Sequence, residues 1–193
     1  MARVKEFDPD IALDRALECF KHHGYSGASM STLTDAMGIG RASLYATYGD
    51  KHRLFEAALE NYVEATVTFV RERLDAADNP LEGIRDVLRR VAEMAASDTK
   101  RRGCLLANST AELASTDAEI RRFAAASFKR IEDTYHDALE TARTDGLLPA
   151  DKNPRALARF LVATMQSLRI IGKASRDRAA LDDIVGTALT CLE

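Results

Sequence analysis

Apolar residues recur along this chain at helical spacing in one segment after another, and no Val/Ile-rich run alternates as a half-buried strand would. After Asp8-Pro9, an N-cap aspartate followed by a proline suited to the first helical position, Leu13, Ala16, Leu17 and Phe20 repeat at i, i+3, i+4 and i+7 until Gly24 ends the helix. Two shorter patterns, Ser31–Met37 and Arg41–Thr47, flank Gly38-Ile39-Gly40. From Asp50 a stripe of Leu54, Phe55, Ala58, Leu59, Tyr62, Val63, Val67 and Val70 continues to about Ala77. A helix of about 25 residues is near 38 Å long, too long for a small head alone, so it predicts a connection into a second body. Pro80 opens a helix carrying Ile84, Val87, Leu88, Val91 and Met94; Asp117 caps a long one running to about Asp145; Asn153-Pro154 opens another. The last, about Asp177–Leu192, carries Leu181, Ile184, Val185, Ala188, Leu189 and Leu192.

The pattern predicts an all-α chain of about nine helices: an N-terminal three-helix helix-turn-helix domain over residues 1–50, joined by the long helix to a helical ligand-binding and dimerisation domain over residues 51–193. In the head, Leu33, Met37, Ile39, Leu44 and Tyr48 are spaced so that two short helices share one small core. Arg41, Ala42, Ser43, Tyr45, Ala46 and Thr47 remain on the outer side of the second, where an inserted helix meets base edges in the major groove. Ser29 or Ser31 caps the first short helix, and a helix N-terminus with spare N–H groups is also an anion site. Lys51, in the first turn of the long helix, is ill placed for the helix dipole and better placed for a phosphate. Arg3 and Lys5 read either as a frayed terminus or as a basic arm on DNA.

Composition narrows the function by exclusion. With 193 residues, 46% of them hydrophobic and 30% charged, the chain can bury a substantial core. No signal-like start and no apolar run long enough for a bilayer is visible, so the expected location is the cytoplasm, with no membrane partner. The net charge is −3, yet the first 55 residues balance seven basic side chains against seven acidic ones, so the negative excess lies outside the helix-turn-helix. That weak footprint suits a binder whose affinity depends on dimerisation. Cys19, Cys104 and Cys191 are too scattered for a disulfide framework or a zinc site, and His22 and His23 have no further ligand in spacing, so neither a metal nor another cofactor is expected. The chain has no nucleophile elbow, H-E-x-x-H, Glu-x-x-His or phosphate loop, and an enzyme is not expected.

Candidate ligand chemistry lies in the body. Cys104 to Leu113 is an apolar segment that carries Asn108, Ser109, Thr110 and Glu112, and such polar groups need partners, from neighbouring helices or from a ligand. The candidate walls of an apolar effector cavity are Tyr62, Met94, Cys104, Asn108, Ser109, Glu112, His136 and Gln166. Cys104 sits near a helix start beside Arg101 and Arg102, which allows a thiol-based redox sensor; the plainer reading is a buried, inert cysteine. The two C-terminal helices, about 154–192, have more apolar face than one partner covers, which predicts a homodimer joined through them.

The run of Phe20, Gly24-Tyr25, Ser29, Leu33, Gly38-Ile39, Leu44-Tyr45, Tyr48, Lys51 and Leu54-Phe55 resembles the DNA-binding domain of TetR-family transcriptional regulators. The resemblance implies that Arg41, Ala42, Ser43 and Tyr45 read the groove and that Ser29, Thr32, Tyr48 and Lys51 hold phosphates. Gly40 stands where the family often has a capping serine, and Thr34 where alanine is usual. The expected function is a homodimeric, ligand-responsive repressor bound to a palindromic double-stranded DNA operator, with a small-molecule effector. An architectural DNA-binding protein of the same fold that senses nothing is the remaining alternative.

Overall fold

The computed structural model describes residues 7–193, so Arg3 and Lys5 lie outside the described residues. Within that range the chain forms α1 (Pro9–Gly27), α2 (Met30–Met37), α3 (Arg41–Tyr48), α4 (Lys51–Ala76), α5 (Pro80–Ser97), α6 (Leu105–Leu113), α7 (Ala118–Thr144), α8 (Pro154–Ala174) and α9 (Arg178–Leu189), closed by a 3-10 turn at Thr190–Leu192. Side chains set most of the starts: Asp8, Ser29, Asp50, Asn79, Asp117, Asn153 and Asp177 each accept a first-turn N–H. Helix α3 has Gly40 at this position and no side-chain cap. Helix α1 is interrupted at Gly24, whose φ of 71° belongs to the left-handed region, and one further turn carries it to Gly27.

Leu33, Met37 and Leu44 are fully buried with Ala16 and Phe20 of α1, while Ile39 and Tyr48 pack at the edge of this core. Phe20 meets Phe55 edge-on at 4.9 Å, and Leu54, Phe55, Ala58 and Leu59 are buried too, so the core of the head continues past residue 50 into α4. Helix α4 is 26 residues long and belongs to both parts. In the body α8 packs on α7 and α5, and α5 also meets α9. The α5–α8 contact depends on Gly172, where a Cβ would lie 2.6 Å from that of Ala95.

Candidate nucleic-acid interface and ligand cleft

Helices α2 and α3 are locked by a glycine turn. Gly38 takes φ 69° and returns its N–H to the carbonyls of Asp35 and Thr34, which ends α2 and lets α3 start across it. With Leu44 turned into the core, Arg41, Ala42, Tyr45 and Ala46 are exposed and Ser43 and Thr47 half-exposed. Tyr45 is 49% exposed, a large apolar ring that the protein leaves uncovered. Ser29 Oγ caps Thr32 N at 3.1 Å and meets the Thr32 hydroxyl at 2.7 Å, which puts two hydroxyls at the start of α2. Lys51 Nζ lies 4.5 Å from the centre of the Tyr25 ring. The Tyr48 hydroxyl donates to the Pro9 carbonyl at 2.7 Å, which ties α3 to the start of α1. The Thr34 hydroxyl bonds back to the Met30 and Ser31 carbonyls at 3.0 Å, within its own helix.

Several polar contacts join the head to the body, among them Arg102 Nη1 to Glu18 Oε2 at 2.8 Å, and two of them centre on Glu112 and His52. Glu112 of α6 accepts from the N–H groups of Tyr25 and Ser26, just after the break at Gly24. Burial opposes its charge, but these N–H groups and nearby Lys51 outweigh that and hold its carboxyl below the usual carboxylate range. On α4, His52 Nε2 lies 2.8 Å from Asp117 Oδ2 at the cap of α7, and Nδ1 faces Glu56 at 3.6 Å. The Asp117 hydrogen bond, opposed by burial and supported by Glu56, raises the imidazole pKa. His52, Glu56 and Glu119 could each offer an atom to a cation, but both ring nitrogens already face carboxylates.

A cleft of about 340 Å³ opens between head and body. Leu17 and Lys21 of α1 and Tyr62, Ala65, Thr66 and Phe69 of α4 form one side; Met94, Ala95 and Asp98, the 102–103 loop, and Arg169 and Lys173 of α8 form the other. Of the sequence candidates, Tyr62 and Met94 line it, and Cys104 lies behind it, 1% exposed, with its sulfur 3.9 Å from Arg169 Nη1. Asn108 and Glu112 line a neighbouring groove with Lys21, His22, His23 and Lys173. Three of the candidates are engaged elsewhere in the structure. Ser109 is buried with its hydroxyl on the Leu105 carbonyl at 2.7 Å, satisfied within α6. Glu112 is committed to α1. His136 sits on α7 between Asp137 and Glu140, 3.4 Å from each, and is not among the residues lining the cleft. Gln166 is half-buried, and its buried amide atoms have no hydrogen-bond partner among the described residues. Sequence reasoning missed Arg169 outright. The signal was present, since a charged residue four positions after Met165 falls on the buried face of α8.

A helix-turn-helix head with one uncovered helix, held on a helical body with a cleft at the junction, is the build of a DNA-binding transcriptional regulator. Residues 12–58 match the family model of bacterial regulatory proteins, tetR family, and residues 80–187 match that of the Tetracyclin repressor-like C-terminal domain. The chain is 36% identical over 194 residues, all of both proteins, to the HTH-type transcriptional regulator YezE of Bacillus subtilis. It is 28% identical over 188 residues to the HTH-type transcriptional repressor ComR of Escherichia coli, covering 97% of this chain and 90% of that one. Among solved structures, a cysteine-substituted TetR family regulator, CifR, complexed with 26-base-pair double-strand operator DNA, superposes with a TM-score of 0.89 at 31% identity over the whole of both chains. The reduced form of Escherichia coli NemR shares the fold, with a TM-score of 0.84 at 19% identity over 93% of each chain. The chain belongs to the tetR family of bacterial regulatory proteins and is a DNA-binding transcriptional regulator. No described helix is long and apolar enough to cross a membrane.

Proposed function

We propose that the chain is a homodimeric repressor that leaves its operator when a small molecule occupies the cleft. The carrying observation is the make-up of the walls: α1 and α4, which hold the head, form one side, and α5 and α8 of the body form the other. An occupant that favours a different spacing of these walls shifts the head relative to the body, and in a dimer it changes the separation of the two recognition helices. Operator release then needs only a difference in ligand affinity between the two spacings.

In this reading Arg41, Ala42, Ser43, Tyr45 and Thr47 face the major groove, and Ser29, Thr32 and Lys51 meet phosphates. The operator bound to CifR and the repressor name of ComR support the sign of regulation and the DNA target. Dimerisation runs through α8 and α9, where Phe160, Ile170 and Ile171 are 41%, 53% and 38% exposed and the surface beside them is lined by small residues such as Ala163, Ala174 and Gly186. Two-fold symmetry makes the operator palindromic, and a protein that acts on the chromosome works in the cytoplasm. The domains meet near residue 50, and the activity is regulation by binding, without a catalytic step. Burial of Cys104 argues against a thiol sensor, since reactive cysteines are solvent-accessible. The cleft argues against a purely architectural protein.

The test is capture of genomic fragments by the purified protein followed by footprinting. A short palindrome is expected, with Arg41→Ala and Tyr45→Ala each weakening binding by on the order of 10- to 100-fold at unchanged thermal stability. Enrichment without sequence preference, or wild-type footprints from both variants, sinks the assignment of α3 as reader.

A further inference from the structure

The cleft is unevenly charged. Lys21, Arg102, Arg169 and Lys173 line it against a single carboxylate, Asp98. Asp98 is already used: it accepts from the N–H groups of Arg102 and Gly103 and from Arg102 Nε at 3.2 Å. Arg102 also reaches Glu18, as does Lys21. Arg169 and Lys173, one turn apart on α8, have no carboxylate within ion-pair distance among the described residues. Lys173 Nζ meets only the amide oxygen of Asn108, at 3.3 Å. Arg169 Nη1 donates to the Tyr62 hydroxyl at 2.8 Å and approaches the Cys104 sulfur at 3.9 Å, neither of them a carboxylate, while Nε and Nη2 make no hydrogen bond among the described residues.

A guanidinium set into a protein wall without a counter-charge is unfavourable, and the cost falls when an anion arrives. Its open Nε/Nη2 edge presents two parallel N–H donors, the geometry that matches a carboxylate. Beside it lie Leu17, Ala65, Phe69 and Met94, an apolar surface, and Thr66 returns its hydroxyl to the Tyr62 carbonyl. A cationic ligand would meet the unpaired charges of Arg169 and Lys173, and a neutral one would leave the guanidinium unanswered. The volume lies at the small end of the roughly 300–1,000 Å³ typical of ligand pockets.

Resting on the reading of this cleft as the effector site, we infer that the effector is a small amphipathic carboxylate, with its acid group forked onto Arg169 beside Lys173 and its apolar remainder laid between α1, α4 and α5. Tyr62 holds the fork in plane through Nη1, and the surplus positive charge of the cleft draws the anion in.

Titration calorimetry on the full-length protein tests this with octanoate, phenylacetate and 4-phenylbutyrate, each beside its primary amide and its amine. The acids are expected to bind and the amides to bind on the order of 10-fold or more weakly, because only the acid gives charge-assisted bonds. Arg169→Gln is expected to weaken the acids on the order of 10- to 100-fold and bring acid and amide to parity, with Arg169→Lys recovering part of the loss. Circular dichroism checks the fold of each variant; if Arg169→Gln does not fold, the acid-to-amide ratio in the wild type and the loss in Lys173→Gln decide. Amides or amines that bind as well as the acids overturn the carboxylate while leaving the cleft as the effector site. Silence of all three series overturns both readings.

Discussion

Glu112 on α6 grips Ser26 at the end of α1: one carboxylate oxygen accepts from the Ser26 N–H at 2.7 Å while the other accepts from Tyr25 at 3.1 Å. The approach is possible because position 24 is glycine, where a Cβ would sit 3.0 Å from that second oxygen. Since α6 is capped by Cys104 at the back of the cleft, this short helix spans from the cleft to the exit of the first DNA-domain helix.

Replacing the charged acceptor with a neutral one tests that link. Glu112→Gln is expected to lower unfolding stability by about 1 kcal/mol, a value limited by the exposure of the group. Because the folded-state pKa of Glu112 is depressed, the contribution is present above its unfolded pKa and is lost as pH falls through the folded value. Urea denaturation at pH 7 and at pH 4 should therefore show a wild-type advantage that shrinks in acid. An advantage equal at both pH values would mean the carboxylate charge contributes nothing.

His52 should behave with the opposite sign. Asp117 raises its folded-state pKa, so the α4–α7 contact is strongest below the unfolded pKa of about 6.5 and fades as pH rises through the folded value. The melting-temperature gap between wild type and His52→Gln is expected to be larger at pH 6 than at pH 9. A gap that grows with pH would show that the imidazole is held neutral.

The α5–α8 crossing is predicted to be intolerant of a single methyl. In Gly172→Ala the new Cβ meets Ala95, including its backbone carbonyl at 3.1 Å, so the helices must separate. A loss of about 1–3 kcal/mol is expected from overpacking, less a few tenths returned by better helix propensity. Because Ala95 lines the cleft, carboxylate binding should weaken as well. Thermal denaturation at or above the wild-type value would show that the crossing has slack.

The helix-turn-helix was legible in the sequence because its structure is made by neighbours: the glycine turn, the Ser29 cap and Leu33, Met37 and Leu44 all lie within 16 positions of one another. The long helix and most helix starts were legible for the same reason. The cleft was not. Arg169 meets Tyr62 across 107 positions and Glu112 meets Ser26 across 86, distances over which periodicity carries no information. Polarity in an apolar segment drew attention to Ser109, but a hydroxyl inside a helix can satisfy itself on the carbonyl four residues back, as Ser109 does. His136 stood out as a lone imidazole, yet at i+1 and i+4 its own helix supplies two carboxylates.

Gly40 leaves the leading amides of α3 without a side-chain acceptor, and a Cβ added there would meet nothing within 4 Å, so the absence of a cap is not forced by packing. Any duplex can complete such a helix, because a phosphate is the same on every sequence. On the proposed reading of α3 as the reader, sequence preference then rests on the base edges offered to Arg41 and Tyr45.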